Sequence, residues 1–259
     1  MKNVLLAVFL MVTSSALHAE TAEEKGLSIS QEAQRRDSGW ADLKATMVMV
    51  LRNSRGEESS RRLETRSLEV AGDGDKSLTI FSYPADIKGT AFLSHTHPTR
   101  PDEQWLYLPA LKRIKRISSS NKSGPFMGSE FAYEDLASQE IEKYSYRYLR
   151  NVTYQGQDHF IIERYPEYKR SGYKRQVVWL DVEHYRVTKI EFFDRKDSLL
   201  KVLTCHGYTQ YLGRYWRANE MRMENKQTGK STVLQWSDYA FQSGLSDRDF
   251  DRNALKRIR

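Results

Sequence analysis

The run Leu43-Lys44-Ala45-Thr46-Met47-Val48-Met49-Val50-Leu51-Arg52 has a period of two. Leu43, Ala45, Met47, Met49 and Leu51 share one face, and Lys44, Thr46, Val48 and Val50 share the other. Successive side chains of a strand point to opposite faces, so this is a β-strand with one apolar side. Asn53-Ser54-Arg55-Gly56 reads as a turn, and a return strand should occupy about 57–70. Residues 71–75, Ala-Gly-Asp-Gly-Asp, form a second turn before a strand at 76–83. Further strands are expected at 91–96, 103–108, 112–117, 146–154, 159–165, 174–182, 186–194, 199–210, 214–224 and 231–239. Regular spacing with short turns predicts a meandering antiparallel sheet or barrel. No periodic helix alternates with these strands, which argues against a parallel α/β sheet.

Several strands are apolar on both faces. Val177 and Trp179 oppose Val178 and Leu180, and Leu199 and Leu203 oppose Leu200 and Val202. An antiparallel sheet with one wet face should alternate cleanly. Either a helix covers the second face or that face lines a cavity. Upstream, Ser28-Ile29-Ser30-Gln31 has capping-box spacing. It predicts a helix running to about Asp37 and stopped by Gly39.

At the N-terminus, Lys2 precedes an apolar run from Val4 to Val12, and Leu17-His18-Ala19 follows a small polar stretch. This is the layout of a secretory signal peptide, cleaved after Ala19. The apolar run is shorter than the roughly 20 residues that span a bilayer. Removing residues 1–19 of 259 leaves 240 residues and one positive charge fewer, +6 rather than +7. We expect a single domain over 20–259, soluble in the periplasm, with no cysteine near the cleavage point to carry a lipid. Cys205 is the only cysteine, so no intrachain disulfide can form. A pI near 9.3 raises nucleic acid as a partner. Export argues against it and favours anionic headgroups or an acidic protein face, with peripheral membrane contact.

Residues 102–135 are the most distinctive stretch. A hairpin turning at Pro109-Ala110 leads into a Ser/Gly/Pro-rich loop with Phe126 and Met127 at its tip. A short helix is expected near 133–138. An apolar loop tip suits a lid over a cavity or a partner contact. Three blocks here resemble the outer-membrane lipoprotein-sorting protein family, which is LolA-like. They are residues 104–110 (Gln-Trp-Leu-Tyr-Leu-Pro-Ala), residues 115–117 (Lys-Arg-Ile), and residues 124–131 (Gly-Pro-Phe-Met-Gly-Ser-Glu-Phe) followed by Tyr133-Glu134-Asp135. Weaker echoes are Lys88-Gly89-Thr90-Ala91, Tyr215-Trp216 and Gln227-Thr228-Gly229-Lys230. The resemblance implies a mainly β fold: a curved, unclosed antiparallel β-barrel of about eleven strands, with short helices across its concave opening. It also implies binding of lipid or lipoprotein acyl chains, and association with an inner-membrane transporter of the resistance-nodulation-division type.

Met47, Met49, Trp105, Tyr107, Trp179, Leu199, Met221 and Met223 are the candidate cavity lining. Methionine adapts to varied shapes. Phe126 and Met127 would form the lid. Lys112, Arg113, Lys115 and Arg116 are either a solvated strand edge or a docking patch. Catalytic signals are weak. His95 and His97 share a strand face, but a metal would need a third ligand such as Cys205 or His206. Asp247, Asp249 and Asp251 lack the glycine and glutamate of a calcium loop and read as the start of a terminal helix. No Gly-x-Ser-x-Gly, His-Glu-x-x-His or phosphate-loop pattern occurs. No cofactor, metal or enzymatic activity is expected. The rival to a carrier is an envelope sensory module in which lipid binding alters a protein contact.

Overall fold

The computed structural model describes residues 19–118 and 120–257. All of the expected signal peptide except Ala19 lies outside the described residues.

Helix α1 spans Ala22–Arg36. It begins earlier than the Ser28–Gln31 spacing suggested, because Thr21 and Glu24 form the capping box. The Thr21 hydroxyl accepts from the Glu24 N–H at 3.1 Å, and the Glu24 carboxylate accepts from the Thr21 N–H at 2.9 Å. Ser28 lies inside the helix. The helix ends at Asp37, and Gly39 then takes φ +96°, a left-handed conformation that glycine adopts without strain.

The strands follow in chain order: β1 Asp42–Arg52, β2 Glu58–Leu68, β3 Lys76–Tyr83, β4 Ala91–His95, β5 Glu103–Leu108, β6 Arg113–Arg116, β7 Tyr144–Tyr154, β8 Gln157–Pro166, β9 Tyr173–Asp181, β10 Val187–Asp194, β11 Leu199–His206, β12 Thr209–Tyr211, β13 Tyr215–Arg217, β14 Glu220–Asn225 and β15 Ser231–Phe241. Thirteen form one antiparallel sheet in the order β6-β5-β4-β3-β2-β1-β15-β14-β11-β10-β9-β8-β7. That is more than the eleven or so expected. β12 and β13 form a separate hairpin. The strand expected over 199–210 stops at His206, where Gly207 turns at φ +64°.

The first strand pairs with the last, Met47 opposite Trp236 and Met49 opposite Leu234. The two sheet edges, β6 and β7, are therefore neighbours in sequence. The sheet is not closed, and residues 117–143, the strap, join one edge to the other. A single buried cluster contains Met49, Leu63, Phe81, Phe92, Leu106, Tyr146, Ile162, Val178, Phe192, Met223 and Leu234. These come from strands along the whole sheet, so the sheet curls around them. Phe126 and Phe131 of the strap and Ile29 of α1 belong to the same cluster. The helix and the strap thus lie across the concave side.

α1 rests directly on the β7 edge. A Cβ on Gly26 would come within 2.8 Å of the Arg147 backbone, so only glycine permits this approach. On the opposite face Leu78, Ile80, Leu93, Trp105 and Tyr107 pack under Phe250 and Leu255. The latter two belong to 3-10 turns at Asp247–Phe250 and Arg252–Arg257. Strands β3 to β5 are therefore apolar on both faces because both are covered.

Candidate functional site

A cavity of about 1450 Å³ lies between the concave face, the C-terminal half of α1 and residues 136–141 of the strap. Typical small-molecule pockets are about 300–1,000 Å³. Its apolar walls include Met47, Phe126, Tyr146, Ile162, Val178, Leu180, Met221 and Trp236. Its lining also carries charges of both signs. Arg35, Arg36, Arg214 and Arg217 line it together with Glu69, Asp73, Asp75 and Glu140. Burial pushes the Asp75 carboxyl up to about 6; the Ser138 hydroxyl works against this and the nearby Glu140 adds to it.

Buried polar contacts fix the strap. The Lys122 ammonium donates to Asp102 at 2.7 Å, and Lys143 donates to the other oxygen of the same carboxylate. Burial opposes ionisation of Asp102, but the two lysines outweigh it and hold the carboxyl low. Glu134 accepts from the Tyr168 hydroxyl, the Ser171 hydroxyl and the Gly172 N–H, each at 2.9 Å. Burial raises its pKa above the usual carboxylate range. Asp135 accepts from Lys201 at 2.7 Å, from the Tyr173 hydroxyl and from the Ala132 N–H. Asp102, Asp135 and the three lysines are ion-paired, as buried charges require, whereas Glu134 has neutral donors only.

Two findings place the chain among known proteins. A family model described as "Uncharacterized protein" matches residues 73–257. An outer membrane lipoprotein-sorting protein domain from Vibrio parahaemolyticus is 60% identical, covers 91% of this chain and 100% of its own, and superposes with a TM-score of 0.89. The chain belongs to the outer membrane lipoprotein-sorting protein domain family. A DUF1329 family protein from Desulfovibrio piger is 29% identical, with 91% and 99% coverage and a TM-score of 0.86. A LolA superfamily protein from Nitrosomonas europaea shares the fold at 22% identity, with 91% and 99% coverage and a TM-score of 0.71. No curated protein matches the chain.

The family motifs map onto the strap and its supports. Gln104 donates to the Tyr133 carbonyl at 3.1 Å, and Glu130 receives Asn225 at 2.7 Å. Phe126 is fully buried and packs on Phe81, Phe92 and Tyr133, with ring centroids 5.2–5.9 Å away. It is a core anchor rather than an exposed tip. Met127 is half-buried at φ +49°, and its carbonyl accepts from Arg61.

The candidate cavity residues divide. Met47 and Met221 line the cavity. Met49 and Met223 are fully buried in the core. Trp105 and Tyr107 face the other way, because Leu106 between them faces in. Trp179 follows the same rule. Val178 and Leu180 point inward, and the Trp179 ring meets the Lys189 ammonium 4.3 Å away on the outer face. Leu199 starts β11 and is 36% exposed. With both faces apolar, the sequence could not say which parity was inner.

Lys112, Arg113 and Arg116 border a second pocket of about 400 Å³ with Trp105, Arg252 and Lys256. Lys115 is exposed on the same edge strand. His95 and His97 take separate partners, the Phe250 carbonyl at 2.9 Å and Asp73 at 2.8 Å. Among the described residues no three His, Cys, Asp or Glu side chains are grouped to hold a metal. Asp249 caps the turn at Ser246, and Asp251 accepts from the Asn253 N–H. Sequence reasoning missed Lys122, Lys143 and Lys201. Lys201 carried a signal, a lysine amid Leu200 and Val202 in a strand.

Proposed function

We propose that this protein is a periplasmic carrier that takes acyl chains of a lipid or lipoprotein into the cavity under α1 and the strap. The cavity of about 1450 Å³ with apolar walls is the observation that carries this reading. Membership of the lipoprotein-sorting family supports it. Burial of acyl surface drives binding at about 0.8 kcal/mol per methylene, and Met47 and Met221 adapt to the chain. The N-terminal stretch that reads as a secretory leader supports a periplasmic location. Hand-off needs a competing apolar site on the acceptor. An inner-membrane transporter of the resistance-nodulation-division type is the partner, and the basic edge at Lys112, Arg113, Lys115 and Arg116 is its docking patch. The work is binding and transfer rather than bond chemistry.

Ala33 of α1 lines the cavity and is only partly buried, so a larger side chain there enters the open space. Ala33→Trp should weaken binding of a fluorescent fatty acid at least about tenfold, the equivalent of roughly two lost methylenes. The melting temperature should change little. Unchanged affinity in a correctly folded variant would place the ligand elsewhere.

A further inference from the structure

The cavity wall holds one half-buried cation with no acid to answer it. Arg164 on β8 faces the concave side, in register with Tyr146 of β7 and Gln176 of β9. Its Nε donates to the Gln176 side-chain oxygen at 2.5 Å, and its guanidinium lies 5.1 Å from the Tyr144 ring centroid. Among the described residues no carboxylate lies within ion-pair distance of it.

Several other buried or half-buried cations do have acids. Lys201 has Asp135, Lys122 and Lys143 share Asp102, Arg186 has Asp181, and Arg175 has Glu163 and Asp197. Of the cations around the cavity, Arg217 has Asp37, Arg35 and Arg36 share Glu32, and Lys76 has Asp247. Arg214 also lacks an acid, but it is exposed on the rim. The nearby strap acids Glu134 and Asp135 are already engaged by their own donors. A cation withdrawn from water without a counter-charge is costly. Arg61 and Lys25 are also half-buried without an acid, but Arg61 is held by the Met127 carbonyl and Lys25 lies over the Tyr148 ring, and neither lines the cavity. Arg164 is the half-buried cation on the cavity wall that has none.

We propose that Arg164 receives the carboxylate of a single-chain fatty acid bound head-inward, with the acyl tail running toward the charged rim. Gln176 occupies Nε and so orients the guanidinium, leaving its two terminal nitrogens for the two carboxylate oxygens. A planar guanidinium suits that paired contact. Ile162 and Val178 lie one pair nearer the rim on the same two strands, with Leu180 beyond them. From Gln176 to Leu180 is four residues, about 13 Å of strand for the tail to follow. The ligand is thereby a free acid. An ester-linked chain has no charge to offer. The inference rests on the cavity being the acyl site.

The test is displacement of the neutral dye Nile red from the full protein by palmitate and, separately, by 1-hexadecanol. In the wild type palmitate should act at a concentration at least about tenfold lower, the effect of a charge-assisted hydrogen-bonded pair. Arg164→Gln should remove that advantage by weakening palmitate alone, with Nile red and hexadecanol unchanged. Equal potency of acid and alcohol on the wild type would overturn the proposal while leaving the cavity reading intact. So would an equal loss of both in the variant. If neither displaces the dye, the cavity reading falls and this inference with it. If Arg164→Gln does not fold, equal potency of acid and alcohol on the wild type still overturns the proposal.

Discussion

A fully buried phenylalanine holds the centre of the strap. Phe126 meets three aromatic neighbours from β3, β4 and the strap itself and has no exposed surface. Removing it leaves a hole in the core beside a space that already exists. Phe126→Ala should therefore destabilise the protein by about 3–5 kcal/mol, the range for a buried phenylalanine. Chemical denaturation monitored by circular dichroism measures this directly. A loss below about 1 kcal/mol would return Phe126 to the role of a mobile tip. Sequence alone could not separate the two, because an apolar residue between Pro125 and Gly128 looks the same whether it is exposed or tucked in. Leu106 and its neighbours pose a similar ambiguity. Alternation identified β5 within its observed bounds, but with both faces apolar it could not say that Trp105 and Tyr107 face outward.

At the scale of elements, the strap behaves as a pinned crossing between the two sheet edges. Asp102 at the start of β5 binds Lys122 and Lys143, which lie near the two ends of the strap. One carboxylate thus ties both ends to the sheet. Asp102→Asn keeps the shape but removes the charge that two buried lysines need. Breaking a buried ion pair typically costs about 3–5 kcal/mol. We expect faster amide hydrogen exchange across residues 117–143, with β1 and β2 still protected. Uniform loosening of the whole sheet would show that the contact stabilises the fold in general. Unchanged exchange would show that the strap is held by its aromatic contacts alone. Strand positions were legible because alternation and turns mark them locally. The helix start was read late because two box spacings compete, Thr21-x-x-Glu24 and Ser28-x-x-Gln31. The ion pairs of the strap were not legible, since Asp102 and Lys143 are 41 residues apart.

At the scale of the molecule, the curl of the sheet creates the candidate site. The residue pattern marked thirteen strand segments, whereas the family resemblance implied about eleven, and the main sheet holds thirteen. Because β1 pairs with β15, both edges fall at the strap. The sheet can therefore wrap a core without closing, and α1 and the strap cover the gap. The space left beneath them is larger than packing defects in a folded core, which seldom exceed a water molecule. An open cavity of this size, with apolar and charged groups in its lining, is a candidate binding site. We propose that acyl chain fills it. Native mass spectrometry of the protein purified from its own periplasm tests this most directly, with a second spectrum after incubation with palmitate. The account predicts a non-covalent acyl adduct in the first spectrum or stoichiometric uptake in the second, lost on denaturation in either case. A bare protein mass in both spectra would contradict it.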